Sequence, residues 1–313
     1  MGLLDRRLLF VTGKGGVGKT TVSAALARCA VAGGKRVLVC QADGVGSLAA
    51  AFDVPPVGFD PVEIEPGLHL MEMDTEASLR EYLKLHLRLP LGGRLGPLAS
   101  VFDFVAGAAP GVKEILSVGK IAYEVRERHF DLVVVDAPAS GHVISQLAAP
   151  QGIRELVKVG LIRNETEWMG DLLADPEVTA VLLVATPEEM PVTETLELLG
   201  RIRSETEVSV AAIVVNRVLP ELFNRREGAL FDRLAEPGDW QDELVRLNGD
   251  AVHPVLEAAA LATRLRRSRA SHLARLREAA PDVAQIYLPF LFARPHGTRA
   301  VQLLADALAA ELD

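Results

Sequence analysis

The sequence predicts one doubly wound α/β domain, built on a mostly parallel sheet and carrying an inserted helical subdomain. Short apolar runs rich in β-branched residues alternate with helical patterns over almost all of the 313 residues. These runs are apolar at nearly every position, which is typical of parallel strands buried on both faces. A glycine-rich loop joins the first run to the first helical pattern, as at the first strand–helix turn of doubly wound sheets.

Seven strands are predicted, at residues 7–12, 36–41, 68–73, 131–136, 180–186, 209–216 and 283–290. The first predicted helix ends at the pair Gly33-Gly34, and a later one begins at Pro191, as helix stops and starts should. A last helix is predicted at about 297–312. We therefore assign residues 1–313 to a single domain.

Two segments interrupt this alternation, at about 75–128 and 220–280, and both are predicted to be helical insertions. Within the first, residues 89–112 are apolar, are broken by Gly and Pro, and carry only Arg94 and Asp103 as charges. Such a stretch suits a groove for a client transmembrane helix or a partner subunit, and it equally suits the subdomain's own core.

The formal net charge of −9 disfavours general nucleic-acid binding, because a negative field repels phosphate backbones. The arginine-rich run at 264–277 is interpreted either as a solvated helix or as a surface for an anionic partner. We expect no integral membrane segment, since no apolar run approaches the roughly 18 residues needed, and no signal peptide. The expected location is the cytoplasm.

Residues 13–20 match the pattern G-x-x-x-x-G-K-[ST] directly after a strand and directly before a helix. Glycines let consecutive N–H groups face one centre, where the helix N-terminus adds positive potential. The pattern is typical of the phosphate-binding loop of P-loop NTPases, and it predicts that Lys19 reaches the β- and γ-phosphates of ATP and that Thr20 holds Mg²⁺. The candidate nucleotide-binding residues of the loop are Gly13, Gly15, Gly16, Val17, Gly18, Lys19, Thr20 and Thr21.

The same loop also fits the dinucleotide fingerprint G-x-G-x-x-G through Gly13, Gly15 and Gly18. Asp43 even lies near the expected position of a ribose-binding acid. A pyrophosphate has no need of two lysines and a Thr-Thr pair, whereas a nucleoside triphosphate with magnesium does. The loop therefore favours ATP over a nicotinamide cofactor.

The loop, together with the stretch around Asp136, carries a resemblance to a known family. Asp136 ends the run "LVVVD", the pattern of a carboxylate that holds Mg²⁺ directly or through water. "GKGGVGKTT" resembles the deviant Walker A motif, and "DAPASGHVISQLAAP" (136–150) resembles switch II of the arsenite-pump and tail-anchored-protein-targeting ATPases. The likeness runs from about residue 8 to the end, and it is greatest to a bacterial single-domain branch, the anion-transporting ATPases.

The resemblance implies an ATPase that dimerises face to face, as a homodimer or with a paralogous ATPase. Lys14 would then cross to the phosphates of the partner's nucleotide, as an arginine finger does. The alternative for Lys14 is a lysine exposed at a loop tip. Asp43 would orient the attacking water, so that Lys14, Lys19 and Asp43 form the predicted catalytic set.

The resemblance also assigns residues outside the loop. Gly141 and His142 match switch II, which relays the γ-phosphate state to the helical subdomain. His142 is equally compatible with an ordinary polar loop residue. Asn216 matches the asparagine that reads the adenine edge, and Pro289 lies in a late segment, 287–297, that resembles the loop packing on adenine.

The sequence departs from the family pattern in its first switch. Residues 41–47 keep Asp43, but two glycines stand where the family has a proline and a histidine, and Pro138 falls one position early in switch II. Slow or partner-dependent hydrolysis follows, or a structural Asp43 that caps the next helix. Cys29 and Cys40 are interpreted as small core residues, so that an arsenite site is not expected.

These observations lead to an ATP-hydrolysing dimeric switch that couples the Mg-ATP state to a helical subdomain holding a client or partner. The alternative is a weakly hydrolysing, nucleotide-binding regulatory subunit of a hetero-oligomer. A chromosome-partition or septum-positioning ATPase fits less well, because the amphipathic C-terminal helix is acidic rather than basic.

Overall fold

The strands of this protein form one sheet in a computed structural model that describes residues 2–43, 46–87, 111–156, 161–234, 239–292 and 296–312. All seven predicted strands are present, and an eighth precedes the third of them. In chain order the strands are β1 Leu8–Gly13, β2 Val37–Gln41, β3 Val62–Glu65, β4 Leu68–Glu72, β5 Leu132–Asp136, β6 Thr179–Ala185, β7 Val210–Val218 and β8 Ala284–Pro289.

The strand order in the sheet is β3-β4-β2-β5-β1-β6-β7-β8. Every neighbouring pair is parallel except β3 and β4, which are antiparallel. The chain leaves β1 towards one side of the sheet and later returns to fill the other side. In open α/β sheets ligands bind at such a reversal, beyond the carboxyl ends of the strands. The predicted doubly wound, mostly parallel fold is confirmed.

Helices surround the sheet within the described residues. In chain order they are α1 Lys19–Ala32, α2 Ser47–Ala51, α3 Thr75–Leu87, α4 Val112–Arg126, α5 Ser140–Leu156, α6 Leu161–Ala174, α7 Glu189–Glu205, α8 Arg225–Leu234, α9 Asp239–Asn248, α10 Val252–Ala279 and α11 Gly297–Leu312. None of the helices in these described ranges is long and apolar enough to cross a bilayer.

Two apolar layers explain why the strands are hydrophobic at almost every position. Successive side chains of a strand point to opposite faces of the sheet. Leu9 and Val11 therefore join a layer with residues of α1 and α11, such as Leu304. Leu8 and Phe10 join the other layer, which contains residues of α4, α5 and α7. A strand buried on both faces needs an apolar residue at each position.

The helical insertions differ in how much of them is described. The segment 220–280 contains α8, α9 and α10, and 75–128 contains α3 and α4, while their status as insertions stays a prediction. The apolar stretch proposed as a client groove lies almost wholly in residues 88–110, outside the described residues. The assignment of 1–313 to one domain stays a prediction.

Sequence patterning did not find β3, whose letters are "VEIE". This strand pairs only with β4 and forms one edge of the sheet. Edge strands are short and charged because such features block pairing with other chains. Glu63 and Glu65 fit this protection of an edge strand. Because these charged residues interrupt the apolar pattern, β3 is not recognised as an apolar run.

Candidate functional site

The glycine-rich loop follows β1 at the carboxyl edge of the sheet, and its shape needs glycine at two positions. Gly13 has φ 151°, and a Cβ there would lie 2.2 Å from the carbonyl oxygen of Val184. Gly18 has φ 97°, and a Cβ there would lie 2.5 Å from Nδ2 of Asn216. Both contacts are far inside van der Waals distance, so any larger residue would displace the loop.

Asn216, at the end of β7, is buried and holds the loop from outside. Its Nδ2 donates to the carbonyl oxygen of Val17 (2.9 Å), and its Oδ1 accepts from the backbone N–H of Arg217 (2.9 Å). These bonds use one amide hydrogen and one lone pair, which leaves one of each. The predicted contact with adenine stays a prediction, and the structure adds a scaffolding role.

Lys19 begins α1 and lies across the loop. Its Nζ donates to the carbonyl oxygen of Lys14 (3.3 Å). Burial lowers the pKa of Lys19, and the nearby carboxylates of Asp136 and Asp43 partly oppose that shift. A half-buried ammonium at the start of a helix, beside a glycine-rich loop, attracts phosphate strongly.

Thr20 and Asp136 meet directly beneath the loop. The Thr20 hydroxyl donates to Oδ2 of Asp136 (2.6 Å), and the Ser23 hydroxyl donates to Oδ1 (3.3 Å). Burial raises the pKa of Asp136, and the bonds from Thr20 and Ser23 and the charge of Lys19 oppose that rise.

This pair fits the magnesium ion predicted for the site. A hard cation prefers oxygen ligands, and Mg²⁺ in nucleotide sites takes only one or two from the protein. Thr20 and Asp136 place a hydroxyl and a carboxylate oxygen together, and a cation there would offset the cost of burying the carboxylate. Clusters of three or more His, Cys, Asp or Glu side chains are not found in the described ranges.

Lys14, at the tip of the loop, forms an ion pair within its own chain. Its Nζ lies 2.6 Å from Oε1 of Glu194 on α7, and each side chain is about one-third exposed (33% and 30%). A loop-tip lysine free in solvent is therefore not what the structure has. At this exposure an ion pair contributes little stability and exchanges readily for another anionic partner.

Asp43 follows β2 and is exposed beside the loop. The capping role considered for it belongs to other residues. Glu72 accepts from the N–H of Gly46 (2.7 Å), and Gln41 accepts from the N–H of Leu48 (2.8 Å) at the start of α2. Asp43 is therefore not the cap of α2, and its carboxylate faces the site. Residues 44 and 45 lie outside the described chain.

A polar cavity of about 210 Å³ connects this region with the helical segments. Asp43, Pro138 and His142 line this cavity, together with residues from the starts of α3 and α4. Gln146 on α5 also faces it, is buried, and has an Oε1 without a hydrogen-bond partner among the described residues. The cavity brings both predicted switches next to the insertion.

The start of the predicted second switch is bonded to β1. The Thr12 hydroxyl donates to the carbonyl oxygen of Pro138 (2.9 Å), and the N–H of Ala137 donates to Val11 (3.0 Å). Gly141 and His142 follow at the exposed first turn of α5. The fixed start and exposed continuation suit a segment that changes shape beyond a hinge.

Pro289 ends β8, beside β7. The N–H of Phe290 donates to the carbonyl oxygen of Val218 (2.9 Å), and the rings of Phe290 and Phe292 meet edge to face. This segment therefore lies next to the strand that carries Asn216, as an adenine-binding loop requires. Its contact with nucleotide stays a prediction.

The arginine-rich run at 264–277 lies on α10 and makes contacts mainly within the protein. Five of its six arginines bind other parts of the chain; these are Arg266, Arg267, Arg269, Arg275 and Arg277. The observation weighs against a surface for an anionic partner, and it shows a helix whose arginines are mostly bound within the protein rather than simply solvated. Cys40 is buried in β2, as predicted, whereas Cys29 in α1 is only partly buried and packs against the edge of the apolar core.

Two site residues were missed from the sequence. Ser23 lies one turn after Lys19 and Thr20, so that its spacing could have placed it on the same face. Glu194 had no such signal, because it lies about 180 positions from Lys14 and only the packing of α7 beside the loop joins them.

Comparison with known proteins identifies the family. The model of the anion-transporting ATPases matches residues 6–164 and 158–233, which is more than half of the chain. The chain belongs to the anion-transporting ATPase family. The predicted family, and the ATPase class to which it belongs, are confirmed.

Three relatives illustrate the match. ATPase BagA of Mycobacterium tuberculosis is 35% identical over 225 residues, covering 68% of this chain and 66% of the relative. Rv2184c of the same organism is 28% identical over 338 aligned residues, covering 96% and 74%. An ATPase ASNA1 homolog of Entamoeba dispar is 26% identical over 251 residues, covering 68% and 76%. The chain thus spans just under two thirds of the length of BagA.

Replacing Asp136 by Asn is expected to stabilise the protein when nucleotide and magnesium are absent. Because the folded pKa is raised, the folded state binds a proton more tightly than the unfolded state, and stability falls as pH rises above the ordinary value of 3.8. The variant avoids that loss. Urea unfolding should show a higher unfolding free energy for Asp136→Asn at about pH 7, with the gap closing towards about pH 4.

Asp43→Asn is the matched control, since it removes the same charge from an exposed carboxylate. It should unfold like the wild type at both pH values. A less stable Asp136→Asn at neutral pH would mean that the buried carboxylate contributes to folding through its hydrogen bonds more than burial costs.

Proposed function

We propose that this chain is an ATP-hydrolysing molecular switch that works as a dimer. The observation that carries the proposal is the group of Lys19, Thr20 and Asp136 under a loop shaped by obligatory glycines. These residues fit a triphosphate, since the loop supplies N–H groups and Lys19 supplies charge. Magnesium held by Thr20 and Asp136 would neutralise the charge that develops between the β- and γ-phosphates.

The proposed role of Asp43 is to orient water for in-line attack on the γ-phosphate. Its position favours this role, because it is exposed next to Lys19 and does not cap α2. A carboxylate there accepts the water's hydrogen bond and holds the oxygen in line with the scissile bond. With glycine on its carboxyl side, Asp43 has fewer constraints, which supports slow or partner-assisted turnover.

The proposed role of Lys14 needs a second subunit. Within one chain the ammonium is directed to Glu194 on α7 and not to its own phosphate site. A partner's triphosphate carries more charge than one carboxylate, so it would draw Lys14 away from Glu194 at a fully formed interface. The Lys14–Glu194 pair would then hold the lysine ready in the unpaired chain.

The proposed output of the switch passes to the helical insertion. The cavity lined by Asp43, Pro138 and His142 borders the starts of α3 and α4, and α5 packs against α4, α6 and α7. Movement of the second switch on ATP binding or release would shift these helices. A client or partner protein held by the insertion would sense the nucleotide through that shift.

Lys14→Ala tests the dimeric switch. The variant is expected to bind ATP within a few-fold of the wild type, since its own site keeps Lys19, but to lose ATP-driven dimerisation and turnover. Nucleotide titration, sedimentation velocity and phosphate release measure the three properties. Lys19→Ala is the control and should lose ATP binding itself. Wild-type turnover by Lys14→Ala would refute the cross-subunit role.

Asp43→Asn tests the chemistry. The variant should retain Mg-ATP binding while single-turnover hydrolysis falls by roughly 10²–10⁴-fold, because the amide accepts a proton far less well than a carboxylate. Both proteins are compared with enzyme in excess over ATP, alone and with any paralogue encoded nearby. Equal hydrolysis rates for the variant and the wild type would leave Asp43 structural, and a wild type that binds but never hydrolyses ATP would favour the regulatory-subunit alternative.

A further inference from the structure

The N-terminal half of α10 carries an apolar stripe that the rest of the described chain leaves exposed. Val255 is 64% exposed, Leu261 51% and Leu265 41%, and Ala258 is exposed between them. Pro254, Ala258, Leu261 and Leu265 recur at alternating spacings of four and three, which is the spacing of a helix that packs lengthwise against another helix, and Val255 lies on one flank of this row. Isolated exposed leucines are common and need no partner, whereas apolar residues aligned along one helix face can bury that face against a second helix.

The two halves of α10 differ in what they contact. Arg269 and Arg275, in the C-terminal half, bind Glu188 (3.1 Å) and Thr193 (2.9 Å) at the start of α7. Thr193 is next to Glu194, which holds Lys14. The C-terminal half of α10 is therefore bonded to α7 close to the glycine-rich loop. The N-terminal half of α10 carries the stripe, and the face that holds the stripe is exposed.

Charge along the exposed face changes sign from one end to the other. Between residues 252 and 263 the only charged side chain, histidine aside, is Glu257, whereas residues 264–277 contain six arginines and no acid. Glu257 and Arg264 lie seven residues apart, on the same flank of the stripe. Within the described ranges neither of them makes a hydrogen bond or an ion pair.

We propose that this face of α10 packs antiparallel against α10 of a second copy of the chain. Around a two-fold axis, a residue i that meets j requires that j meets i. If Ala258 lies opposite the partner's Leu261, helical geometry sets Glu257 opposite the partner's Arg264, and the same pair forms again across the axis. On the other flank Val255 meets the partner's Ala262, so that one flank is charged and the other apolar.

This arrangement selects the second copy over other occupants. A parallel pair would place Glu257 beside the partner's Ala262 and Arg264 beside the partner's Arg269, so that it would form no ion pair and would bring two arginines together. An anionic partner would be repelled by Glu257 and would find five of the six arginines already bound. The contact needs no nucleotide, and so it goes beyond the ATP-driven pairing proposed above and stands or falls separately from it.

Charge reversal on the full-length chain without nucleotide tests the contact by sedimentation velocity. The wild type is expected to dimerise. Glu257→Arg and Arg264→Glu should each raise the dimer dissociation constant by about tenfold or more, since each creates two like-charged pairs. Mixing the two variants should restore a dimer, because in a mixed pair each substituted side chain, and each unchanged one, faces a charge of opposite sign across the axis.

Glu278→Arg makes the same charge change on α10 outside the stripe and should leave dimerisation unchanged. Leu261→Asp should abolish dimerisation with an unaltered circular dichroism spectrum and melting temperature, since Leu261 is exposed in the single chain. A wild type that stays monomeric at the highest concentration reached would overturn the proposal. So would a mixture of the two reversed variants that is no more dimeric than either alone. ATP turnover, followed in parallel, reports separately on the switch.

Discussion

The site depends on a backbone turn that only glycine can make at two points. The carbonyl oxygen of Val184 presses against Gly13 on one side, and the amide of Asn216 presses against Gly18 on the other. These contacts come from β6 and β7, which adjoin β1 on the same side of the sheet in succession. Strands of the sheet thus fix the conformation of the loop. They also fix the position of the start of α1, which carries Lys19 and Thr20.

The charges around that loop are each satisfied inside the chain in a way that a triphosphate could replace. Lys14 is paired with Glu194, Lys19 contacts a backbone oxygen, and Asp136 accepts from Thr20. Such provisional bonds avoid the cost of burying unpaired groups. In the proposed switch these bonds would also supply one of its two states, because the same side chains would gain a different and stronger set of partners with phosphate and magnesium bound.

The parts of the fold set by local pattern could be predicted from the sequence. Buried strands appear in the sequence as apolar runs, and these runs predict the doubly wound sheet. The glycine-rich loop appears as a motif of fixed spacing, and this motif and the strand before Asp136 predict where Lys19, Thr20 and Asp136 lie. The edge strand β3 could not be predicted in this way, because its two glutamates belong to an exposed edge and interrupt the apolar pattern. Glu194 could not either, because its contact with Lys14 arises only when α7 packs beside the loop.

If each site uses lysines from two chains, then two variants that are inactive alone should complement each other when mixed. Lys14→Ala keeps its own phosphate site but supplies no cross-subunit lysine, whereas Lys19→Ala supplies that lysine but has a defective site of its own. The account predicts that neither hydrolyses ATP alone and that an equimolar mixture regains a substantial fraction of wild-type turnover, from one complete site in each mixed dimer. A mixture as inactive as its parts, or full activity of Lys14→Ala by itself, would contradict it.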